Sequence, residues 1–384
     1  MMLASGERGH GSQLYLYQSN NLLDWEPVGT VLDVKAGSKI SPRGSLKFGM
    51  NFECASFSSI GTNDNLTLGV EENKDSTRHN CRYALWLCGN LILDNGKPKF
   101  VIESHGLLDY GISHAPHIFR DSEDRLIQLG WADETAKSHI VTRQGWAGCL
   151  TYPRGLYEIS RPIRKVPKGD DIWTMDSTAG RMTTLGIRPA PQMTSFRQDL
   201  TPSDLRSFTA MRSNSFALKA TFSQLSGHEI FEFHVRKSPC STEVTKIILD
   251  ISDSGIIVDR SHSSLENLGT SSPDSGPFHL LPNEDLHIQI LVDNSILEVY
   301  ANDRFALTSR VYPSLEDSIG VSYDFGEFDE SNVRCECWES LKDAWPARGA
   351  IESSLEELHP FPKVENEKSG MDATHIAGEA ISST

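Results

Sequence analysis

The spacing of alternating apolar residues limits most tightly how this chain can fold. Gln13 to Ser19, Leu66 to Val70 and Tyr83 to Leu91 read as strands by alternation and aromatic content. Such segments recur roughly every ten residues, with Gly, Asn and Asp between them. Asp94-Asn95-Gly96 is a hairpin signal, and Phe119 to Ser122 reads as a hairpin turn before Arg125 to Trp131, which makes Asp121 structural. No segment before residue 150 sustains a helical period. Even spacing of this kind suggests an all-β sandwich, barrel or propeller.

The second half repeats the pattern after an interruption. From Ile159 to about Pro191 the chain is polar and carries Pro162, Pro167, Pro189 and Pro191. Beyond it, Phe216 to Phe222, Ile230 to Val235, Lys246 to Ile251 and Gly255 to Ser261 alternate as half-buried strands. Leu286 to Arg310 reads as a three-strand meander turning at Asp293-Asn294-Ser295 and Asn302-Asp303, with Glu298 on the solvent face. The expected organisation is a β domain over 1–165, a linker over 166–191, a second β domain over 192–345 and a disordered acidic tail over 346–384.

Charge narrows the partners. The formal net charge is −16, and no basic stripe accompanies it. That argues against nucleic acid or an anionic membrane surface and favours a small polar or neutral substrate. No apolar run reaches about 18 residues, so no membrane span is expected. The first residues lack the basic flank and apolar stretch of a signal peptide, so as written the chain reads as cytoplasmic. Seven cysteines without metal-ligand spacing predict neither a disulfide framework nor a metal site. Asn65-Leu66-Thr67 is a lone glycosylation sequon.

Against this background Gly49 to Phe57 stands out, because Glu53 lies between Phe52 and Cys54 in a segment that reads as buried strand. An uncompensated buried charge costs several kcal/mol. A carboxyl among apolar neighbours holds its proton to higher pH, as a general acid near neutrality must; the alternative from pattern alone is a partly exposed Glu at a strand end.

Glu53-Cys54 after an aromatic residue, with Phe57 following, resembles the acid/base segment of glycoside hydrolase family 32, the invertases, inulinases and related fructosyl enzymes. Ala55 stands where that family commonly has Pro. Leu107 to Gly111, Gly130 to Glu134 and Gln144 to Arg154 match further segments in order. The resemblance implies a five-bladed β-propeller, incomplete at the N-terminus, followed by a C-terminal β-sandwich. It implies cleavage of β-fructofuranosidic bonds in sucrose or fructans, with a small carbohydrate substrate and no cofactor. Glu53 would be the acid/base, and Asp109, Trp131, Asp133 and Glu134 would bind substrate. For Asp109 the alternative is an Asx turn closed by Gly111. Arg154 would have lost its usual acidic partner, since Gly155 follows it, and Trp146 would pack in the core.

In that family a retaining pair of carboxylates about 5–5.5 Å apart does the chemistry. No Asn-Asp-Pro nucleophile segment and no Arg-Asp-Pro segment occurs in these 384 residues. The resemblance therefore implies a member lacking its first blade and part of the next. A fructosyltransferase and a catalytically inactive carbohydrate-binding protein are the alternatives.

Overall fold

β-Branched and aromatic residues alternating with polar ones favour pleated strands, and the computed structural model of the chain is built almost entirely from them. It describes residues 1–341 except 8, 43, 72–80, 169, 192, 194–196 and 198–202. The tail over 346–384 lies outside the described residues.

Three antiparallel sheets come first. β1 (Met2–Glu7), β2 (Gly11–Gln18) and β3 (Glu26–Lys35) pair in chain order. β4 (Asn51–Ile60), β5 (Asn63–Glu71), β6 (Arg82–Asp94) and β7 (Lys97–Leu107) do the same. Asn95 and Gly96 join β6 to β7 with φ of 51° and 79°, the primed turn predicted there. The third sheet holds β8 (Ser113–Arg120), β9 (Leu126–Ala132), β10 (Cys149–Leu150), β11 (Arg154–Pro162), β12 (Thr174–Asp176) and β13 (Arg181–Pro189). One face of the second sheet packs Phe52, Leu66, Leu68 and Leu85 against Leu14 and Val31 of the first. Its other face packs Ala84, Trp86 and Cys88 toward Leu126 and Leu156 of the third. Meandering sheets stacked face to face are propeller blades.

The expected linker over 166–191 is corrected here. β13 pairs with β11 along its whole length, from Arg154↔Pro189 to Pro162↔Arg181, and buries Met182, Leu185 and Ile187. Pro162 and Pro189 occupy strand ends, where a missing N–H is tolerated, so proline density there does not mark a connector. A short helix was also missed, α1 (Ser138–Gln144), which ends on Gly145 at φ 86°. With Ile140, Val141 and Thr142 inside it and no side-chain cap, its sequence carries little helical signal. The Asn65 sequon sits on β5 with 3% of its surface exposed, out of reach of a glycan.

After α2 (Leu205–Phe208) the chain builds a sandwich of two five-stranded sheets. One contains β14 (Ser215–Phe222), β19 (Leu286–Asp293), β20 (Ile296–Ala301), β21 (Phe305–Arg310) and β23 (Val333–Glu339). The other contains β15 (Ile230–Lys237), β16 (Val244–Asp250), β17 (Gly255–His262), β18 (Asp274–Pro277) and β22 (Gly320–Asp324). Between them lies a phenylalanine-rich core in which Phe222 stacks on Phe231 at 4.2 Å and Phe325 meets both edge-on. The first of these sheets is covered on both faces. Ala217, Leu291, Tyr300 and Ala306 point away from that core and pack against Leu108, Leu156 and Ile187 of the blades.

Candidate active site

β4 enters the second blade with a bulge between Glu53 and Ser56, and Cys54 takes φ 47° there. A bulge re-aims the side chains beside it. Register then sets what accompanies Glu53. Asn51, Glu71 and Arg82 are cross-strand partners in one row, joined by bonds from Asn51 Nδ2 and Arg82 Nε to the Glu71 carboxylate, both 3.2 Å. Glu53 lies in the next row of the same face, opposite Gly69 and then Ala84. A Cβ on Gly69 would stand 3.2 Å from the Glu53 carbonyl oxygen, so glycine leaves the strand room at this point. Glu53 is half-buried, not enclosed.

The third blade supplies the opposing wall. His114 on β8 and Trp131 on β9 are cross-strand partners, with ring centroids 4.9 Å apart. Trp131 is 43% exposed. Burial holds the His114 imidazole below its ordinary value; the Ile112 carbonyl opposes this, as do the charges of Asp133 and Glu53, while Arg82 acts in the same direction as burial. His114 therefore stands within the fields of both carboxylates and the guanidinium. His114 thus touches the Trp131 ring and feels the charges of Glu53 and Asp133.

Glu134 does something else. Its Oε1 accepts from Gln144 Nε2 at 2.8 Å, from Gly148 N at 2.8 Å and from Arg310 Nη2 at 2.9 Å, and its Oε2 accepts from the Tyr312 hydroxyl. A carboxylate so occupied positions the loop that carries Trp131 and Asp133. Gly148 closes this loop over Trp131. A Cβ there would lie 2.4 Å from the indole Nε1, and φ is +68°, so glycine is required. Trp146, expected in the core, is 44% exposed and lies under the Arg310 guanidinium at 4.8 Å. Arg310 and Tyr312 come from the sandwich and were not foreseen. The only sequence trace of them is Thr308-Ser309-Arg310, three polar residues in succession on a strand that is buried throughout.

Arg310→Met should cost about 3 kcal/mol, since it strips Glu134 of its cation at a nearly buried site. It should also speed amide exchange at Gly148, which hydrogen-exchange mass spectrometry would read. Unchanged exchange there would mean that the loop holds itself.

Asp109 is likewise not a substrate contact. It is 0% exposed. Its Oδ1 accepts from the backbone N–H of Gly111 at 2.8 Å and of Thr308 at 3.2 Å, and its Oδ2 from Arg154 Nη2 at 2.8 Å and Thr308 Oγ1 at 2.6 Å. The Asx turn is real, and it ties the blades to the sandwich. Gly111 allows that contact, because a Cβ would stand 1.8 Å from the Thr308 carbonyl oxygen. Arg154 keeps acidic partners after all, in Asp109 and in Glu298 at 3.0 Å.

Residues 1–163 match the N-terminal domain of glycosyl hydrolases family 32, and residues 187–339 match its C-terminal part. The chain belongs to glycosyl hydrolase family 32. It is 27% identical over 315 residues to a sucrose-6-phosphate hydrolase of Zymomonas mobilis, covering 79% of this chain and 55% of that enzyme. It is 25% identical over 344 residues to a cell-wall β-fructofuranosidase of Pisum sativum, covering 78% and 59%. The family member thus spans little more than half the length of these relatives. Among solved structures, a fructosyltransferase from A. japonicus superposes with a TM-score of 0.76 at 21% identity, covering 90% of this chain and 67% of that one. A β-fructofuranosidase of Aspergillus kawachii, complexed with glycerol, gives 0.75 at 24%, covering 90% and 68%. At these identities the likeness establishes the fold, a β-propeller joined to a β-sandwich.

Proposed function

We propose that this chain contributes the proton-donating half of a β-fructofuranosidase site. Glu53 delivers a proton to the glycosidic oxygen as the bond to the fructosyl carbon breaks, then takes one from the incoming water. The fructosyl ring lies against the exposed face of Trp131, with Asp133 accepting from its hydroxyls. The observation that supports this reading is the half-buried Glu53 on β4, a strand that packs against the β8 carrying His114 beside Trp131, in a chain of this family. The relatives named as sucrose-6-phosphate hydrolase and β-fructofuranosidase support a fructoside as substrate.

Binding separates the two roles. Calorimetric titration of sucrose into the full chain should show Trp131→Ala weakening affinity about five- to tenfold, the value of one aromatic contact. Glu53→Gln, which keeps the shape, should change it less than about twofold, because the donor acts in the transition state. Trp131 is half in solvent, so its loss opens no core cavity. Sucrose affinity indifferent to Trp131→Ala would remove the proposed subsite.

A further inference from the structure

A second concave surface, on other strands, has no part in the chemistry above. It is a groove of about 470 Å³ between β11 of the last blade and β14 and β19 of the sandwich. That is the size of a small-molecule site. Its cations are Arg161 on β11, Arg164 just beyond it and Lys219 on β14. The carboxylates within reach are already engaged. Asp303 accepts from the Tyr157 hydroxyl at 2.5 Å and lies 3.7 Å from Arg188. Glu284 is held by Arg304 at 2.6 Å, and Glu336, opposite Lys219 on β23, by Arg334 at 3.2 Å. Arg164 spends Nη1 on the Pro282 carbonyl at 2.7 Å. Lys219 is half-buried and makes no hydrogen bond or ion pair among the described residues. Burial lowers its pKa, with the charge of Arg197 adding to this and those of Glu336 and Asp303 opposing it. In a chain of net charge −16, three basic side chains lining one groove are a local construction and not a general property of the surface.

We propose that this groove binds a small phosphate monoester, its dianion held among Arg161, Arg164 and Lys219. Donors facing each other across the groove, two from β11 and its extension and one from β14, suit a tetrahedral anion, and the neutral Thr221 and Gln289 line the same groove beside them for the esterified polyol.

The test is calorimetric titration of the full chain with glucose 6-phosphate, inorganic phosphate and glucose at constant ionic strength. Glucose 6-phosphate should bind at least about tenfold more tightly than glucose, and Lys219→Met and Arg164→Gln should each weaken it at least about fivefold. Arg164 is exposed, so its variant stays informative even if Lys219→Met disturbs folding. Inorganic phosphate binding as well as the ester would assign the groove to the phosphate group alone; a tighter ester would add the polyol. Equal affinity for glucose and glucose 6-phosphate would overturn the proposal. So would phosphate-ester binding that Trp131→Ala abolishes and neither groove variant alters, since that would place the anion at the Glu53 site.

Discussion

Arg154→Met is expected to lower the stability of this chain by about 3–5 kcal/mol, a large share of the 5–15 kcal/mol typical of a folded protein. The cause is not loss of a favourable pair, since a buried ion pair often does little better than a well-packed apolar substitute. It is what remains behind. Arg154, Asp109 and Glu298 are each 0% exposed. The guanidinium donates Nη1 to the Leu108 carbonyl at 3.0 Å, Nε to Tyr300 Oη at 3.0 Å, and Nη2 to both carboxylates and to Thr308 Oγ1. Burial pushes the Glu298 carboxyl up, and Arg154 is the foremost influence opposing that shift. Removing the cation leaves two buried carboxylates facing each other across the seam between blades and sandwich. The measurement is the urea midpoint at neutral pH. Replacing all three groups together, as Arg154→Met with Asp109→Leu and Glu298→Leu, should recover much of the loss, because no charge is then stranded. A loss under about 1 kcal/mol for Arg154→Met alone would mean that water reaches the seam and the network is not buried in solution.

The same seam marks where sequence reasoning stopped. Alternation along β14 to β21 predicted strands, turns and an inward face, and these match the structure because the period of two is local. Glu298 was assigned to solvent by the same alternation, yet it is fully buried. The rule says which residues share a face and is silent on what covers that face. Here the outward face of the sheet is covered by Leu108, Leu156 and Ile187, which lie more than a hundred residues earlier. Arg154 shows the complementary error. Its partner was sought next to it in sequence, at Gly155, and was found at Asp109 and on a sandwich strand. At the candidate site, Glu53 was singled out by its place between Phe52 and Cys54 only together with the family resemblance, and Trp131 and Asp133 through that resemblance alone. The support that Arg310 gives Glu134 was not, because it joins residues 176 apart.

Sucrose hydrolysis by the 384-residue chain should fall at least about 10⁴-fold below that of a family enzyme carrying both carboxylates. A retaining mechanism needs a nucleophile about 5–5.5 Å from the acid/base, placed to attack the fructosyl carbon from the opposite side. Glu53 can protonate the leaving oxygen, but protonation alone gives no covalent intermediate. The Asn-Asp-Pro segment that supplies the attacking carboxylate in the family is absent from these residues. Proton donation is ordinarily worth about 10²–10⁴-fold, far short of a complete site. The assay is reducing-sugar release from sucrose, with Glu53→Gln as the paired variant. Brisk turnover that Glu53→Gln abolishes would overturn this expectation and show that another carboxylate does the attacking. Asp133 would then be the first to test, since its charge, like that of Glu53, acts on His114. Asp133→Asn would have to remove the activity as completely as Glu53→Gln, and trapping a fructosyl ester on residue 133 would identify it as the attacking group.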